Sequence, residues 1–324
     1  MATAENAKLE YEAGQNAVAM SALTDSGDRI KFTSAASLWS GRSGYAPVVR
    51  PNGLLTGGAL SVTATNNQIA VAALTCNLAG VVTAVTAGNV TITRPASNVS
   101  KVCSITVNAA GALAVVAGTD GSTTAFSETR AAAGGPPLIP VDSIEIGQVR
   151  VTTSTAAAVS AAQVFNVVGL HVERADFPLF NIDYTTGSVN FLAALPQIHT
   201  GPAPKQVFAS YASPIFGEVS LASDFVPPET SHSVSSTQIY GTTLGSTSST
   251  LGQGSFTAYL SNGIGDGLVA LKNQTLWFRF YPDRYASSYM LTQGKLGIAR
   301  TFPAGDNIQA ACTISATAAA TEVA

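Results

Sequence analysis

Charge is scarce in this sequence, and histidine is rarer still. Only 11% of the 324 residues are charged, and 16 basic side chains nearly cancel 19 acidic ones. A net charge of −3 provides no general attraction to nucleic acid or to an anionic membrane. The histidines His171, His199 and His232 are far apart, and a zinc site needs several converging ligands, so no metal site is predicted. His171 shares a strand face with Glu173, a pair that we predict lies on the surface.

Cysteine pairs and long apolar runs are also missing. Cys76, Cys103 and Cys312 are odd in number and widely spaced, which argues against a disulfide framework. Cys103 and Cys312 occupy apolar positions of alternating patterns, so we expect buried thiols there. Residues 51–93 lack charge, but Asn, Gln, Gly and Thr interrupt them, so no run of about 18 apolar residues predicts a membrane-spanning helix. The first residues lack a basic segment followed by an apolar stretch, so no Sec-type signal peptide is expected.

Ser, Thr, Ala, Val and Gly dominate what is present, and this composition favours many short strands joined by tight turns. Apolar and polar residues often alternate with period two, as expected for strands with one buried face. We predict an all-β fold with one or two short helices, at 4–15 and 266–274. The predicted strands are 90–93, 103–107, 144–151, 164–172, 276–281, 295–298 and 308–314, with a hairpin at 180–191.

The predicted domain organisation has three parts. Residues 1–48 form an N-terminal leader, residues 49–215 an additional β-rich domain, and residues 216–324 a C-terminal β-domain. About 109 residues is small for a domain that assembles through its sheets. A discontinuous C-terminal domain, completed by the leader and by residues 170–215, is therefore the alternative that the sequence leaves open.

Two connectors and one ambiguous stretch separate the predicted strands. Residues 131–137 and 212–228 are rich in Gly or Pro, which suits neither helix nor strand. Residues 231–254 are uncharged and rich in Ser, Thr and Gly. This composition fits either a flexible linker or a strand followed by a long loop.

Each candidate motif for catalysis or cofactor binding is better explained as an ordinary turn or strand. Residues 252–256 do not match G-x-S-x-G, the nucleophile turn of serine hydrolases. The glycine-rich segment 263–267 lacks the Lys-Ser/Thr of a phosphate loop, so we expect a turn with Asp266 capping the following helix. Residues 25–28 resemble a calcium loop only faintly and are predicted to form a plain turn. We therefore predict no catalytic, cofactor-binding or metal-binding residues, and a protein that is not an enzyme.

Basic and aromatic residues are interleaved near the C-terminus, a pattern found in nucleic-acid-binding proteins. Asp266, Asp283 and Asp306 offset three of the five basic charges. A solvated or intersubunit face is therefore preferred over a DNA-binding surface. The five basic residues are Lys272, Arg279, Arg284, Lys295 and Arg300.

Five segments in the second half of the sequence together resemble segments of a known protein family. They are 223–230 (SDFVPPET), 252–260 (GQGSFTAYL), 276–283 (LWFRFYPD), 294–300 (GKLGIAR) and 302–307 (FPAGDN), the last followed by a final alternating strand. Together they resemble the major tail (tail tube) proteins of long-tailed bacteriophages of the siphophage type. The resemblance covers roughly residues 216–324. The region 49–210 resembles, less closely, the extra β-domains that some tail proteins carry on the tube exterior.

The resemblance implies a tail-tube-type β-sandwich or barrel whose sheets join between six subunits into a ring. Such rings stack into a tube around the tape-measure protein, end at tail terminator and tip proteins, and later conduct the genome. The implied localisation is the virion, after assembly in the cytoplasm of the bacterial host, with no catalytic residues and no membrane binding. A sparsely charged subunit suits a conduit, since many Lys and Arg contacts would bind DNA strongly.

Two other functions compete with this interpretation. Another phage surface, decoration or adhesin-type β-domain protein would use the same Ser, Thr, Gly and Val composition. A carbohydrate-acting tail enzyme would need a pair of carboxylates flanking a glycosidic bond, and no such pair stands out.

One contact between stacked subunits is predicted from charge. The acidic leader is expected to contact the basic C-terminal face of a neighbouring subunit, and the alternative is that both groups are simply solvated. The residues concerned are Glu5, Glu10 and Glu12 in the leader, and Lys272, Arg279 and Arg284 in the neighbour.

Overall fold

The computed structural model describes residues 5–166, 171–201 and 204–324, and nearly all of its regular structure is β-strand. The all-β fold predicted from composition and alternation is therefore confirmed. Helical residues in this described part are limited to a 3-10 turn at Ala161–Gln163 and a four-residue helix, α1, at Gly267–Ala270. No helix among the described residues is both long and apolar enough to span a bilayer.

The described ranges contain 25 strands, most of them short. In chain order they are β1 (Lys8–Ala22), β2 (Thr24–Asp25), β3 (Lys31–Thr33), β4 (Val48–Pro51), β5 (Gly53–Gly57), β6 (Leu60–Val62), β7 (Gln68–Val71), β8 (Leu74–Leu78), β9 (Val81–Val85), β10 (Gly88–Thr91), β11 (Lys101–Val107), β12 (Leu113–Ala117), β13 (Ile144–Val151), β14 (Val164–Phe165), β15 (Phe180–Asp183), β16 (Ser188–Phe191), β17 (Val207–Glu218), β18 (Ala222–Val226), β19 (Thr230–Ile239), β20 (Thr242–Leu251), β21 (Gly254–Tyr259), β22 (Thr275–Tyr281), β23 (Tyr289–Thr301), β24 (Gln309–Ala316) and β25 (Thr321–Val323).

The chain divides into two compact units, and both are discontinuous in sequence. Unit 1 contains the residues up to Ala17, Leu38–Ala46 and Tyr211–Ala324. Unit 2 contains Val18–Ser37 and Pro47–Ser210. The unit boundaries differ from the predicted boundaries at residues 48 and 215. The leader does not form a part of its own, because its segments pair with strands of one unit or the other.

Unit 1 is built on an antiparallel sheet with the strand order β18-β21-β24-β23-β22-β1, and β25 also pairs with β23. The first residues of β1 pair with β22, so that Lys8 lies opposite Tyr281 and Tyr11 lies opposite Phe278. Side chains of these strands meet in one apolar core, as expected when one face of a sheet is buried. The core includes Leu9, Phe256, Leu276, Phe278, Leu296, Cys312 and Ile314.

The helix predicted at 4–15 is wrong, because from Lys8 onward these residues belong to strand β1. Its Ala, Glu and Lys residues favour a helix locally, but helix propensity is a weak preference that tertiary pairing overrides. Here the pairing partner, β22, lies near the other end of the sequence. Burial of Leu9 in the core of unit 1 then stabilises the extended conformation.

The helix predicted at 266–274 is limited to α1, because Leu271 leaves helical geometry at the C-cap and Asn273, three residues after the helix, has a positive φ of 67°. Asp266 occupies the N-cap position, but its side chain makes no hydrogen bond to the helix. Its carboxylate instead accepts hydrogen bonds from the backbone amides of Ser261 and Gly263, both at 2.8 Å. Asp266 therefore stabilises the loop before the helix, and the predicted capping contact is wrong.

Unit 2 contains four small antiparallel sheets and the pair β4-β17. The strand orders are β10-β7-β6, β12-β11-β13-β14, β15-β16-β3-β2 and β5-β8-β9. Three of these sheets contribute to one apolar core, which includes Leu54, Ile69, Val71, Cys76, Cys103, Ile105, Ile146 and Val149. All three cysteines of the chain are buried and free, so the prediction for Cys103 and Cys312 is confirmed.

A β-bulge in β13 changes which side chains reach that core. Ile105 of β11 lies opposite Gly147, but the next residue, Thr106, lies opposite Glu145, so Ile146 is the extra residue. A bulge shifts the alternation of a strand by one position. Ile144 and Ile146 before the shift and Val149 and Val151 after it therefore all belong to the core. Glu145, Gln148 and Arg150 form a separate buried polar set.

Several local predictions can be compared directly with the strands. The hairpin at 180–191 is confirmed by the β15-β16 pair, and no helix or strand occurs at 131–137. The prediction of a connector at 212–228 is wrong, because β17 continues to Glu218 and β18 starts at Ala222. Of the strand predicted at 164–172, Val164–Phe165 is strand, and residues 167–170 lie outside the described residues.

Candidate functional site

A two-stranded hairpin of unit 1 exposes almost all of its side chains. Strands β19 and β20 pair over ten residues, from Thr230 opposite Leu251 to Ile239 opposite Thr242. Every residue of the two strands is exposed except Leu251, which is half-buried. They form a sheet of their own and pair only with each other within the described chain. We call residues 230–251 the exposed hairpin.

The sequence of the exposed hairpin explains its local structure. Thr and Val residues favour extended backbone. Ser233 and Ser248 join their hydroxyls across the strands at 2.7 Å, and Ser235 and Ser246 do so at 2.6 Å. Gly241 has a φ of 82°, the left-handed conformation that a type II turn requires at its second central residue and that glycine adopts without strain. Neither a flexible linker nor a strand with a long loop therefore describes this stretch, and both predictions for it are wrong.

Large apolar side chains are concentrated towards the tip of the exposed hairpin. Tyr240, in the turn, is fully exposed, and Ile239 and Leu244 are about half exposed. Thr230–Leu251 contain no Asp, Glu, Lys or Arg. A two-stranded hairpin without a packed face is marginally stable in water, and both of its edges carry unpaired backbone groups. The exposed hairpin is therefore a surface suited to a protein partner.

A cleft of about 540 Å³ is the second notable feature of unit 1. One side is formed by the start of β1 and the other by β18 and the turn before it, and Phe225 and Phe280 stack there with ring centroids 4.5 Å apart. Arg284 donates to the Glu218 carboxylate at 3.3 Å and to the Ala7 carbonyl at 3.4 Å. The cleft residues are Glu5, Ala7, Lys8, Leu9, Glu218–Phe225, Phe280 and Arg284. We call this the β1–β18 cleft.

The predicted basic face is largely occupied by contacts inside unit 1. The Arg279 guanidinium lies 3.7 Å from the Phe216 ring centroid and 5.2 Å from that of Tyr289. Arg300 donates to the Gly263 carbonyl at 2.5 Å. Such contacts hold these side chains against their own unit. Lys272 and Lys295 are exposed, and their side chains form no hydrogen bond or ion pair within the described residues.

The predicted contact of the leader with a neighbouring subunit is wrong for Glu12. This side chain is fully buried, and its carboxylate accepts hydrogen bonds from Ser40 and from the Trp277 backbone amide. Glu10 lies opposite Arg279 in the β1-β22 pair of the same chain and binds Lys8 at 2.7 Å. The bond to Glu10 raises the pKa of Lys8.

Unit 2 contains a buried polar cluster that sequence patterns did not predict. Glu145 is almost fully buried, and its carboxylate accepts hydrogen bonds from the Ser104 hydroxyl at 2.5 Å and from the Gln148 amide at 3.1 Å. It also forms an ion pair with Arg130, whose guanidinium donates to the Pro137 carbonyl at 2.8 Å. The bulge in β13 is what places Glu145 and Gln148 on this polar face.

A second ion pair extends the same face. The guanidinium of Arg150 donates to both carboxylate oxygens of Glu128, and one of these bonds measures 2.8 Å. Arg150 also lies 4.5 Å from the Phe165 ring centroid and 3.5 Å from Nε2 of His171. Residues 118–143, which contain no helix or regular strand, are thereby tied to the sheet through Glu128 and Arg130.

A further buried part of this polar cluster contains Glu173, His199 and Lys205. Burial raises the pKa of Glu173 to about 7 and lowers the pKa of Lys205. Nε2 of His199 donates to the Ser143 carbonyl at 3.1 Å and lies 4.0 Å from the Glu173 carboxylate. His171 and Glu173 are both buried, so their prediction as a surface pair is wrong.

Acidification is expected to reduce the difference in free energy of unfolding by which wild-type unit 2 exceeds a His199→Gln variant. Burial lowers the pKa of His199, so the folded unit keeps the imidazole neutral where the unfolded chain protonates it. Stability from this group is thus present above the unfolded pKa of about 6.5 and is lost as pH falls through it. Chemical denaturation followed by circular dichroism from pH 7.5 to 5 should show the difference in free energy shrinking. A constant difference would contradict the assignment.

The remaining sequence candidates form ordinary local structure. Ser255, in the segment compared with a hydrolase turn, lies in β21 opposite Thr313. The Asp28 carboxylate accepts hydrogen bonds from the backbone amides of Ile30 and Lys31, which confirms a plain turn and lowers the pKa of Asp28. Across residues 5–166, 171–201 and 204–324, no three His, Cys, Asp or Glu side chains converge as a metal site.

No protein-family model matches the sequence, and no curated protein matches it.

Proposed function

We propose that this protein is a structural subunit that assembles with copies of itself through the exposed hairpin. The observation that carries the proposal is a ten-residue strand pair with no packed face and no Asp, Glu, Lys or Arg. Natural proteins normally protect exposed strand edges with charges, bulges or covering loops. The exposed hairpin has none of these within its own strands, which favours a partner in the assembled state.

The size of the exposed hairpin fits a stable interface. With ~3.4 Å per residue and ~4.8 Å per strand, a ten-residue pair presents about 330 Å² on each face. Both faces together give about 650 Å², which approaches the roughly 800 Å² per partner that specific protein interfaces bury. Because the strands are uncharged, two copies can approach without repulsion between like charges.

The assembly that we propose is the tail tube of a long-tailed phage. Subunits join head to tail into rings, six per ring as the sequence resemblance implies, and rings stack around a tape-measure protein. Head-to-tail contacts close into a ring when the rotation between subunits permits it. The segments that carry the resemblance, 223–230 to 302–307, all lie in unit 1, the unit that also carries the exposed hairpin. The proposed localisation is the virion, and the proposed further partners are the tail terminator and tip proteins.

Low charge supports the proposal that genome DNA passes through this tube. Strong DNA binding comes mainly from Lys and Arg contacts to phosphates. Here three of the five basic residues of the C-terminal set, Arg279, Arg284 and Arg300, are engaged with rings, a carboxylate or backbone carbonyls of unit 1. We therefore propose a non-enzymatic conduit that does not retain DNA.

Removing the exposed hairpin is expected to abolish assembly while both units still fold. Thr230 and Leu251 lie opposite each other, so a two-residue Asn-Gly turn can replace residues 231–250. Negative-stain electron microscopy and analytical ultracentrifugation should show rings or tubes for the wild type and a monomer for the variant. A Ser236→Thr variant, which keeps an exposed β-forming hydroxyl residue, serves as the control and should assemble normally. A wild type that stays monomeric at every concentration would overturn the proposal.

A further inference from the structure

The tip of the exposed hairpin has the chemistry of an interface anchor. Tyr240 is fully exposed at the turn, with Ile239 beside it and Leu244 on the facing strand. Tyrosine and arginine are enriched among residues that dominate binding energy, because an aromatic ring buries much area while its hydroxyl stays hydrogen-bonded. A fully exposed tyrosine at the end of an uncharged strand pair therefore favours insertion into a concave site.

The β1–β18 cleft offers such a site on the same unit. Its volume of about 540 Å³ falls within the range of pockets that hold ligands or side chains. The stacked Phe225 and Phe280 rings provide an aromatic wall, and Lys8 and Arg284 provide cations able to lie against a further ring. Lys8 and Arg284 already pair with Glu10 and Glu218, so an uncharged guest leaves neither cation without its carboxylate.

An unpaired strand edge borders this cleft. Strand β18 lies at the end of the strand order in unit 1 and pairs on one side only, with β21. Its free edge can accept hydrogen bonds from an incoming strand, as in peptide recognition by strand addition. A register shift between Ser223 and Val226, with Asp224 at a φ of 57°, interrupts this edge. The short interrupted edge suits the end of a hairpin better than a full-length strand.

The guest must come from another copy of the chain. Only residues 227–229 separate β18 from the start of β19. The hairpin strands stay paired for ten residues, about 34 Å, so their tip cannot return to a cleft at their own base. Each copy thus carries one tip and one cleft, the arrangement that produces head-to-tail assembly.

The geometry points to insertion of the hairpin tip into the β1–β18 cleft of a second copy, with Tyr240 against Phe225, Phe280 and Arg284. This inference rests on the proposed function and names the acceptor surface for the exposed hairpin. The interface is heterologous, so every subunit except those at open ends donates one tip and accepts another.

Disulfide cross-linking between two variants tests the pairing. One protein carries Thr242→Cys, an exposed position at the tip that leaves Tyr240 intact, and the other carries Ala222→Cys, an exposed cleft residue. The three native cysteines are buried, so mild oxidation of the mixture is expected to give a disulfide-linked dimer containing one copy of each variant. A mixture of Thr242→Cys with Asp306→Cys, an exposed position outside the cleft, serves as the control and should give no such product.

Assembly measurements separate this inference from the proposed function. Tyr240→Ser is expected to raise the concentration needed for assembly by roughly tenfold or more, whereas Ile264→Ser, at another exposed apolar residue, should leave it unchanged. Normal wild-type assembly without the cross-link, or with an unaffected Tyr240→Ser variant, overturns the cleft as acceptor and leaves self-assembly standing. Failure of the wild type to assemble overturns both.

Discussion

Replacing Glu145 with alanine is expected to lower the free energy of unfolding of unit 2 by about 3–5 kcal/mol. Glu145 is almost fully buried and accepts hydrogen bonds from Ser104 and Gln148 as well as from Arg130. Alanine would leave the Arg130 guanidinium without its carboxylate in a largely buried site. Removing one partner of a buried pair is costly because the other charge stays desolvated.

Calorimetry and circular dichroism suit this measurement better than tryptophan fluorescence. Both tryptophans of the chain, Trp39 and Trp277, belong to unit 1, so fluorescence does not follow unit 2. Asp176→Ala provides the control, because Asp176 pairs with Arg174 at an exposed position where a salt bridge contributes about 1 kcal/mol or less. A loss below 1 kcal/mol for Glu145→Ala would show that Arg130 finds another partner and that the cluster does not stabilise unit 2.

Hydrogen exchange should locate the effect of the same variant. Residues 118–143 form no regular strand; Asp120 holds the start of the segment to Lys101 of β11, and Glu128 and Arg130 hold its middle to β13. Losing the Arg130 contact should therefore increase exchange in this segment before the strands themselves open. Uniform exchange across unit 2 would instead indicate global unfolding only.

Strands with one apolar face were predictable because their signal is local. The alternation at 103–107 and 308–314 corresponds to β11 and β24, whose apolar side chains enter the cores of their units. Period-two alternation depends only on neighbouring residues and on which face is buried, so the sequence alone carries it. The same logic correctly identified Cys103 and Cys312 as core residues.

The exposed hairpin lacks that signal for a physical reason. Neither face is buried within the chain, so its Ser and Thr residues show no alternation of apolar and polar character. Its local turn signal, Tyr240-Gly241, is weaker than the Asn-Gly or Asp-Gly pairs that mark most tight hairpins. Composition without alternation is also typical of linkers, which is why the sequence did not separate the two.

Pairing between residues far apart in the sequence explains the wrong helix prediction at 4–15 and the polar cluster that was not predicted. The residues from Lys8 onward form a strand because β22 pairs with them, and no local property of Ala- and Glu-rich sequence reports that partner. The polar cluster of unit 2 depends on the bulge at Ile146, which places Gln148 and Arg150 on the same face as Glu145. Its members come from segments between Ser104 and Lys205, so their convergence requires the folded sheets.

Replacing Glu12 with alanine is expected to lower the free energy of unfolding of unit 1 by about 2–4 kcal/mol. The Glu12 carboxylate is fully buried and accepts hydrogen bonds from the Ser40 hydroxyl, from Gln15 at 2.9 Å and from the Trp277 backbone amide at 3.1 Å. Each buried donor left without an acceptor costs about 1–3 kcal/mol. Only part of this sum is expected, since Gln15 lies near solvent and can bond to water instead.

Tryptophan fluorescence reports this change directly, because both tryptophans lie beside Glu12. Nε1 of Trp277 donates to the Trp39 carbonyl at 2.8 Å, and the Trp39 ring stacks on Tyr211 with centroids 4.7 Å apart. Loss of the Glu12 contacts to Ser40 and Trp277 should loosen this arrangement and shift the emission to longer wavelength in the folded state.

Glu10→Ala is the matched control for Glu12→Ala on the same strand. Glu10 pairs with Lys8 at 2.7 Å on the partly exposed face of β1, where an ion pair contributes about 1 kcal/mol or less. Equal losses for the two variants would contradict a buried structural role for Glu12. Glu12 holds Ser40 and Trp277 together within unit 1, so its carboxylate is not available to another molecule. The assembly that we propose therefore relies on surfaces that remain exposed, above all the exposed hairpin.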